Sequence, residues 1–130
     1  MKKLAFLLGF GLVFSVNILS AQYDSDETGG DADEHGCTAS AGYLWSAAKK
    51  QCVRLFEAGI ALDPVHEDPT STSWAYLIFT ADRRQVEVFL VNGTYMLSWN
   101  GKSWTGSGLS VFQDGKRYSL VQNGETTYRN

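Results

Sequence analysis

Cys37 and Cys52 are the only cysteines in this 130-residue chain, and His35 and His66 the only histidines. A tetrahedral metal would need two more ligands beside the cysteine pair, and neither histidine has a ligand-spaced neighbour. The pattern therefore reads as one disulfide closing a short loop, with no metal and no cofactor. A loop of this length constrains the unfolded chain by about 3 kcal/mol in the entropy picture. Catalysis has as little to work with. There is no nucleophile elbow, no phosphate-binding glycine loop and no evident serine–histidine–carboxylate set. His66 sits in the loop VHED beside two acids, and Asp82, Arg83, Arg84 and Glu87 around a hairpin turn read as surface ion pairs. The expectation is a binding protein and not an enzyme.

The residues left to bind something are aromatic, and they concentrate around SWNGKSWTGSG, positions 98–108. Trp99 continues the alternation of Tyr95 and Leu97, which assigns it to the core together with Trp74 and Tyr76. Trp104 lies outside any long apolar alternation and reads either as exposed or as part of a second small core shared with Phe112. Phe112 is out of phase with Leu109 and Val111, so it should face outward. Trp104 and Phe112 together form a candidate stacking patch, because exposed rings supply contact area with little side-chain entropy to lose. Ser107 and Gly108 form a candidate loop beside it.

The elements that must hold these residues follow from the rest of the chain. Residues 1–21 have a basic start, an apolar run and small closing residues, the layout of a cleaved signal peptide. The apolar run is shorter than the roughly 20 residues a bilayer requires, and no cysteine follows the cleavage site to carry a lipid. The expected product is an exported soluble monomer in the periplasm or outside the cell, neither membrane-bound nor a lipoprotein. Residues 22–36 are acidic, without a single Lys or Arg, and should be a disordered leader. Asp31, Asp33 and Glu34 alternate like a calcium loop, but the spaced glycine and closing glutamate are missing. Without Lys2 and Lys3, nine basic residues face fourteen acidic ones, and no basic face for nucleic acid is evident.

Residues 37–64 read as a disulfide-stapled hairpin unit, with Ser46 capping a turn through 47–50 and a strand from Cys52. From residue 73 to 130 four turn dipeptides recur: Asn92-Gly93, Asn100-Gly101, Asp114-Gly115 and Asn123-Gly124. Between them apolar residues alternate with period two, as in Trp74-Tyr76-Ile78, Val86-Val88-Leu90 and Tyr118-Leu120. The fold class implied is mainly β, a small antiparallel meander of six to seven short strands closing into a barrel.

From Phe79 onward the layout resembles the small β-barrel inhibitors of C-type lysozyme, of periplasmic and membrane-bound type. Val86-Glu87-Val88-Phe89 matches their strand pair and Ser107-Gly108 their serine–glycine loop. Phe112-Gln113-Asp114-Gly115, followed by Leu120 and Gly124, matches their closing hairpin. Asp114 stands where that family has lysine, Lys116 follows two residues later, the tyrosine after serine–glycine is absent, and the cysteine pattern differs. The resemblance implies a protein that inserts Ser107 and Lys116 into a lysozyme cleft to bond its catalytic acids. It makes a C-type lysozyme the expected partner. An envelope glycan stacked on Trp104 and Phe112, or a structural envelope role, are the alternatives.

Overall fold

The computed structural model describes residues 32–70 and 72–130, so the expected signal peptide and most of the acidic leader lie outside the described residues. In chain order the elements are β1 (Tyr43–Ser46), β2 (Gln51–Arg54), a helical turn α1 (Leu55–Ala58), β3 (Ile60–Pro64), β4 (Ala75–Phe79) and β5 (Gln85–Leu90). They continue as β6 (Gly93–Trp99), β7 (Trp104–Gly106), β8 (Leu109–Asp114), β9 (Arg117–Gln122) and β10 (Glu125–Arg129). Strands β3 to β10 form a closed antiparallel barrel in sequence order, and β10 pairs back onto β3.

The barrel has eight strands, where the repeat of turn signals predicts six to seven. Residues 73–130 hold seven strands, β4 to β10, within the expected number, and the eighth is β3. β3 lies in the stretch read as the end of the hairpin unit, and its closing Pro64 looks like a loop residue. Pro64 is tolerated there because it sits at the strand end, opposite Tyr128. β7 is three residues long, too short for an alternation to show.

The inside of the barrel is filled by side chains. Leu77, Val86, Val88, Leu97, Val111 and Leu120 are completely enclosed, with Leu62, Phe79, Leu90, Trp104, Leu109 and Tyr118 around them. An eight-stranded barrel is just wide enough for such filling, so binding must use its ends or its outer wall. The period-two reading holds for β5, β6, β8 and β9. In β4 it picks the wrong face: Ala75, Leu77 and Phe79 point in, while Trp74, Tyr76 and Ile78 lie outside. The strand sequence AYLIF is apolar throughout, so the alternation alone could not choose a face.

What makes the outer face of β4 and β5 apolar is the unit that covers it. Val53 and Leu55, with Ala48 beside them, pack on Ile78 and Phe89 as a second core. β1 and β2 form a hairpin held by the Cys37–Cys52 disulfide, which assigns this unit to an oxidising environment. No helix of the described residues is long and apolar enough to cross a membrane. Gly59 lets α1 turn into β3 at close range, since a Cβ there would lie 2.8 Å from the Leu55 carbonyl and 3.1 Å from the Tyr76 Cβ. Residues 32–36, within the stretch expected to be disordered, form a turn. Asp33 accepts hydrogen bonds from the His35 and Cys37 amides, Ala32 bridges to Thr38, and His35 stacks on Trp45 at 4.2 Å.

The unit is fastened by a buried carboxylate. Glu87 points outward from β5, is 3% exposed, and accepts from the Ser46 hydroxyl at 2.7 Å and the Ala47 amide at 2.8 Å. The Ser46 oxygen in turn accepts from the Lys49 amide, so Ser46 does cap the turn that follows it. That turn is not a helix. The expected ion pairing of Glu87 with Arg83 and Arg84 is not formed; the hairpin unit reaches the carboxylate instead.

The turns also differ in detail from the dipeptide reading. Only Asn123-Gly124 has both residues at positive φ (51° and 79°), and Ser107-Gly108 joins it with 51° and 76°. Those angles are what a type I′ hairpin turn requires, so Ser107-Gly108 is a tight turn and not a loop free to insert. At Asp114-Gly115 the aspartate still belongs to β8, opposite Arg117, and the two turn residues are Gly115 and Lys116.

Two outcomes follow for stability. Glu87→Ala strands the Ser46 hydroxyl and the Ala47 amide without an acceptor, and should lower the unfolding free energy by about 2–4 kcal/mol. Denaturant titration with the disulfide intact measures this, and a loss under about 0.5 kcal/mol would show that the carboxylate is not the fastening. Ser107→Asn places a residue that tolerates positive φ in the β7–β8 turn, and should raise stability by up to about 1 kcal/mol. A lowered melting temperature would contradict the turn geometry.

Candidate functional site

Successive turns of an up-and-down barrel alternate between its two ends, so the topology sorts every loop residue to one end or the other. Turns 80–84, 100–103 and 115–116 lie at one end with the last residues of β10, here the Arg83 end. Turns 65–74, 91–92, 107–108 and 123–124 lie at the opposite end, the Ser107 end. Ser107 and Lys116 therefore project from opposite ends, separated by the length of β8, about 20 Å for six residues. One inserted loop cannot carry both.

The same sorting segregates charge. From Ile60 onward the Lys and Arg residues are Arg83, Arg84, Lys102, Lys116, Arg117 and Arg129; all six lie at the Arg83 end and all are exposed. Two carboxylates, Asp82 and Asp114, accompany them. The Ser107 end carries Glu67, Asp68 and Glu125, with His66 3.6 Å from Glu125, and no Lys or Arg, while Asp63 stands directly across from Arg129. A chain that is acidic overall thus presents a basic face, which its residue order does not display.

Aromatic rings close the basic end. Trp104 is 3% exposed, a core position and not a place in an exposed stacking patch. It starts β7 facing inward beside Val111, with its indole N–H donating to the Arg83 carbonyl at 2.8 Å. Trp99, expected in the core, is 44% exposed. Its phase is correct, since it pairs with Trp104 and the rings meet at 4.5 Å, but β6 ends there and the ring sits at the mouth. Phe112 is 45% exposed on the outer wall, as expected. Trp99 is thus the exposed tryptophan and Trp104 the buried one, so Trp104 and Phe112 share neither an exposed patch nor a small core.

Arg83 spans the mouth. Its guanidinium lies 4.1 Å from the Phe79 ring centre, donates to the Tyr118 hydroxyl at 2.8 Å and to Gln113 Oε1 at 3.1 Å. Both bonds leave one nitrogen, Nη2, while the planar guanidinium stays stacked on the Phe79 ring. The backbone of Arg83 is left-handed (φ 58°), and the turn is tied by Asp82, which accepts from the Thr80 hydroxyl at 2.7 Å and the Arg84 amide at 3.0 Å. Beside it Trp99, Trp104, Gln113 and the 82–84 turn line a shallow depression of about 300 Å³.

No family model, curated protein or solved structure matches the chain. The site is thus defined by its own geometry: a mouth plugged by Arg83, ringed by cations, with Trp99 exposed at the rim. Reasoning along the sequence missed Arg83 and the charge segregation. Part of the signal was present in the turns, since those between β4–β5, β6–β7 and β8–β9 contain Arg83, Arg84, Lys102 and Lys116 and the intervening ones contain no Lys or Arg. Among the described residues no cluster of His, Cys, Asp and Glu is arranged to hold a metal.

The Asp82 carboxyl is held below its ordinary pKa of 3.8, first by the Arg84 amide and then by the Thr80 hydroxyl. A depressed value means that its support for the turn is complete above about 3.8 and is lost as pH falls through the lower folded value. The Arg84 amide resonance should titrate with a midpoint below 3.8, and Asp82→Asn should abolish that titration. A midpoint at or above 3.8 would contradict the bonded turn.

Proposed function

We propose that this chain is an exported bacterial binding protein that presses the Arg83 end of its barrel into the carboxylate-lined cleft of a C-type lysozyme. The collection of six exposed cations at one end carries this reading, with Lys116 at the tip of the β8–β9 turn. An ammonium at a hairpin tip can reach the catalytic acids of a glycosidase, which lie at the bottom of a cleft. Asp114 does not oppose this approach from the tip, because it ends β8 across from Arg117. The serine of the resembled family has no part here, since Ser107 faces away. Exposed Trp99 supplies apolar contact beside the mouth, an aromatic anchor of the kind that dominates binding once it is desolvated at the centre of an interface.

The chain's net charge of −3 acts at longer range. An acidic inhibitor is drawn toward a cationic lysozyme, which raises the association rate, while the local basic end selects the acidic cleft. The disulfide fits an oxidising, extracytoplasmic compartment, where such an enzyme would be met.

Mature protein at micromolar concentration should slow the lysis of bacterial cell walls by hen-type lysozyme. Lys116→Glu should weaken inhibition by at least about tenfold, equivalent to 1.4 kcal/mol, and Ser107→Ala should leave it unchanged. Absence of inhibition would refute the proposal. So would relief by Ser107→Ala with Lys116→Glu silent.

A further inference from the structure

A second surface lies beside the mouth, on the outer wall of β8, β9 and β10. Phe112, Ser119 and Arg129 stand in one row across these strands, paired Phe112↔Ser119 and Ser119↔Arg129. Arg117 and Asp114 form the adjacent pair, and Asn130 closes the margin of a groove of about 420 Å³. Neighbouring strands are about 4.8 Å apart, so Phe112 and Arg129 are about 10 Å apart at their backbones. That span suits one six-membered sugar ring with its substituents. Arg117 stands across from Asp114 and Arg129 from Asp63, but neither guanidinium is in the ion pairs Glu34–His35, Arg54–Glu57 and His66–Glu125.

We infer that this groove binds an acidic sugar unit of a glycan. The apolar face of the ring lies on Phe112, and the carboxylate is held by Arg117 and Arg129, whose forked donors match its geometry. The sugar hydroxyls both donate and accept, and the groove offers both kinds of partner. Asp114 accepts, Ser119 does either, and Asn130 keeps its amide N–H groups free to donate because its Oδ1 already accepts from the Tyr118 amide. A nucleic-acid strand fits less well, because only one ring is present where a strand needs a series. Arg117 and Arg129 belong to the basic end as well, but Lys116 does not line the groove, so glycan binding and lysozyme inhibition are read by different variants.

The test is a titration of the isotope-labelled protein with oligogalacturonate, followed by amide chemical shifts, beside a neutral oligosaccharide of the same length. Shifts should concentrate at residues 112–119 and 129–130, and the acidic sugar should bind at least about tenfold more tightly than the neutral one. Phe112→Ala should weaken the acidic sugar about fivefold or more, and Arg117→Gln with Arg129→Gln should erase the preference for the acid. The spectra of these exposed-site variants report at once that the barrel is intact. No shifts, equal binding of the neutral sugar, shifts confined to the Lys102 and Lys116 turns, or tighter binding of a single-stranded oligonucleotide in the same groove would each overturn the inference.

Discussion

The pairing of β10 with β3, through Tyr128 with Pro64 and Arg129 with Asp63, turns a meander into a barrel. Closure removes the two edges that an open sheet would expose and encloses the inward face of every strand at once. It also creates two ends, and in a strictly sequential order of strands each turn is assigned to one of them. Charge segregation, the Arg83 mouth and the separation of Ser107 from Lys116 all follow from that assignment. With an open, splayed sheet none of them would be defined.

The second constraint acts on β4 and β5, which are apolar or buried on both faces. Their inner residues fill the barrel, and their outer residues Ile78 and Phe89 need a cover that the barrel cannot provide. The disulfide hairpin and α1 provide it, and Glu87 fastens them by giving the hairpin turn a buried acceptor. A buried carboxylate is tolerable only when its oxygens are bonded, so cover and clasp require each other. This leaves the wall formed by β8, β9 and β10 as an uncovered flank, where Phe112 remains exposed.

Much of this was legible along the chain. The alternation Val86-Val88-Leu90, Leu97, Leu109-Val111 and Tyr118-Leu120 correctly names the inward face, because a period of two leaves a strand only two choices. The disulfide was legible from two cysteines without metal partners. The errors occurred where a local rule lacked information. Trp74, Tyr76 and Ile78 were assigned inward because β4 is apolar on both sides. Trp99 has the correct phase but lies one step beyond the rim, and phase says nothing about where a barrel ends. Trp104 belongs to a strand too short to show a period, and Glu87 finds its partners about forty residues earlier.

By itself the sequence determined the strand alternation, the turn positions and the disulfide, because each depends on residues that are neighbours or on a single pair. Only the tertiary structure decided which tryptophan is buried, which turns share an end, and that the cations converge. Those properties depend on closure, which brings residues 83, 102, 117 and 129 to one rim although no local rule connects them.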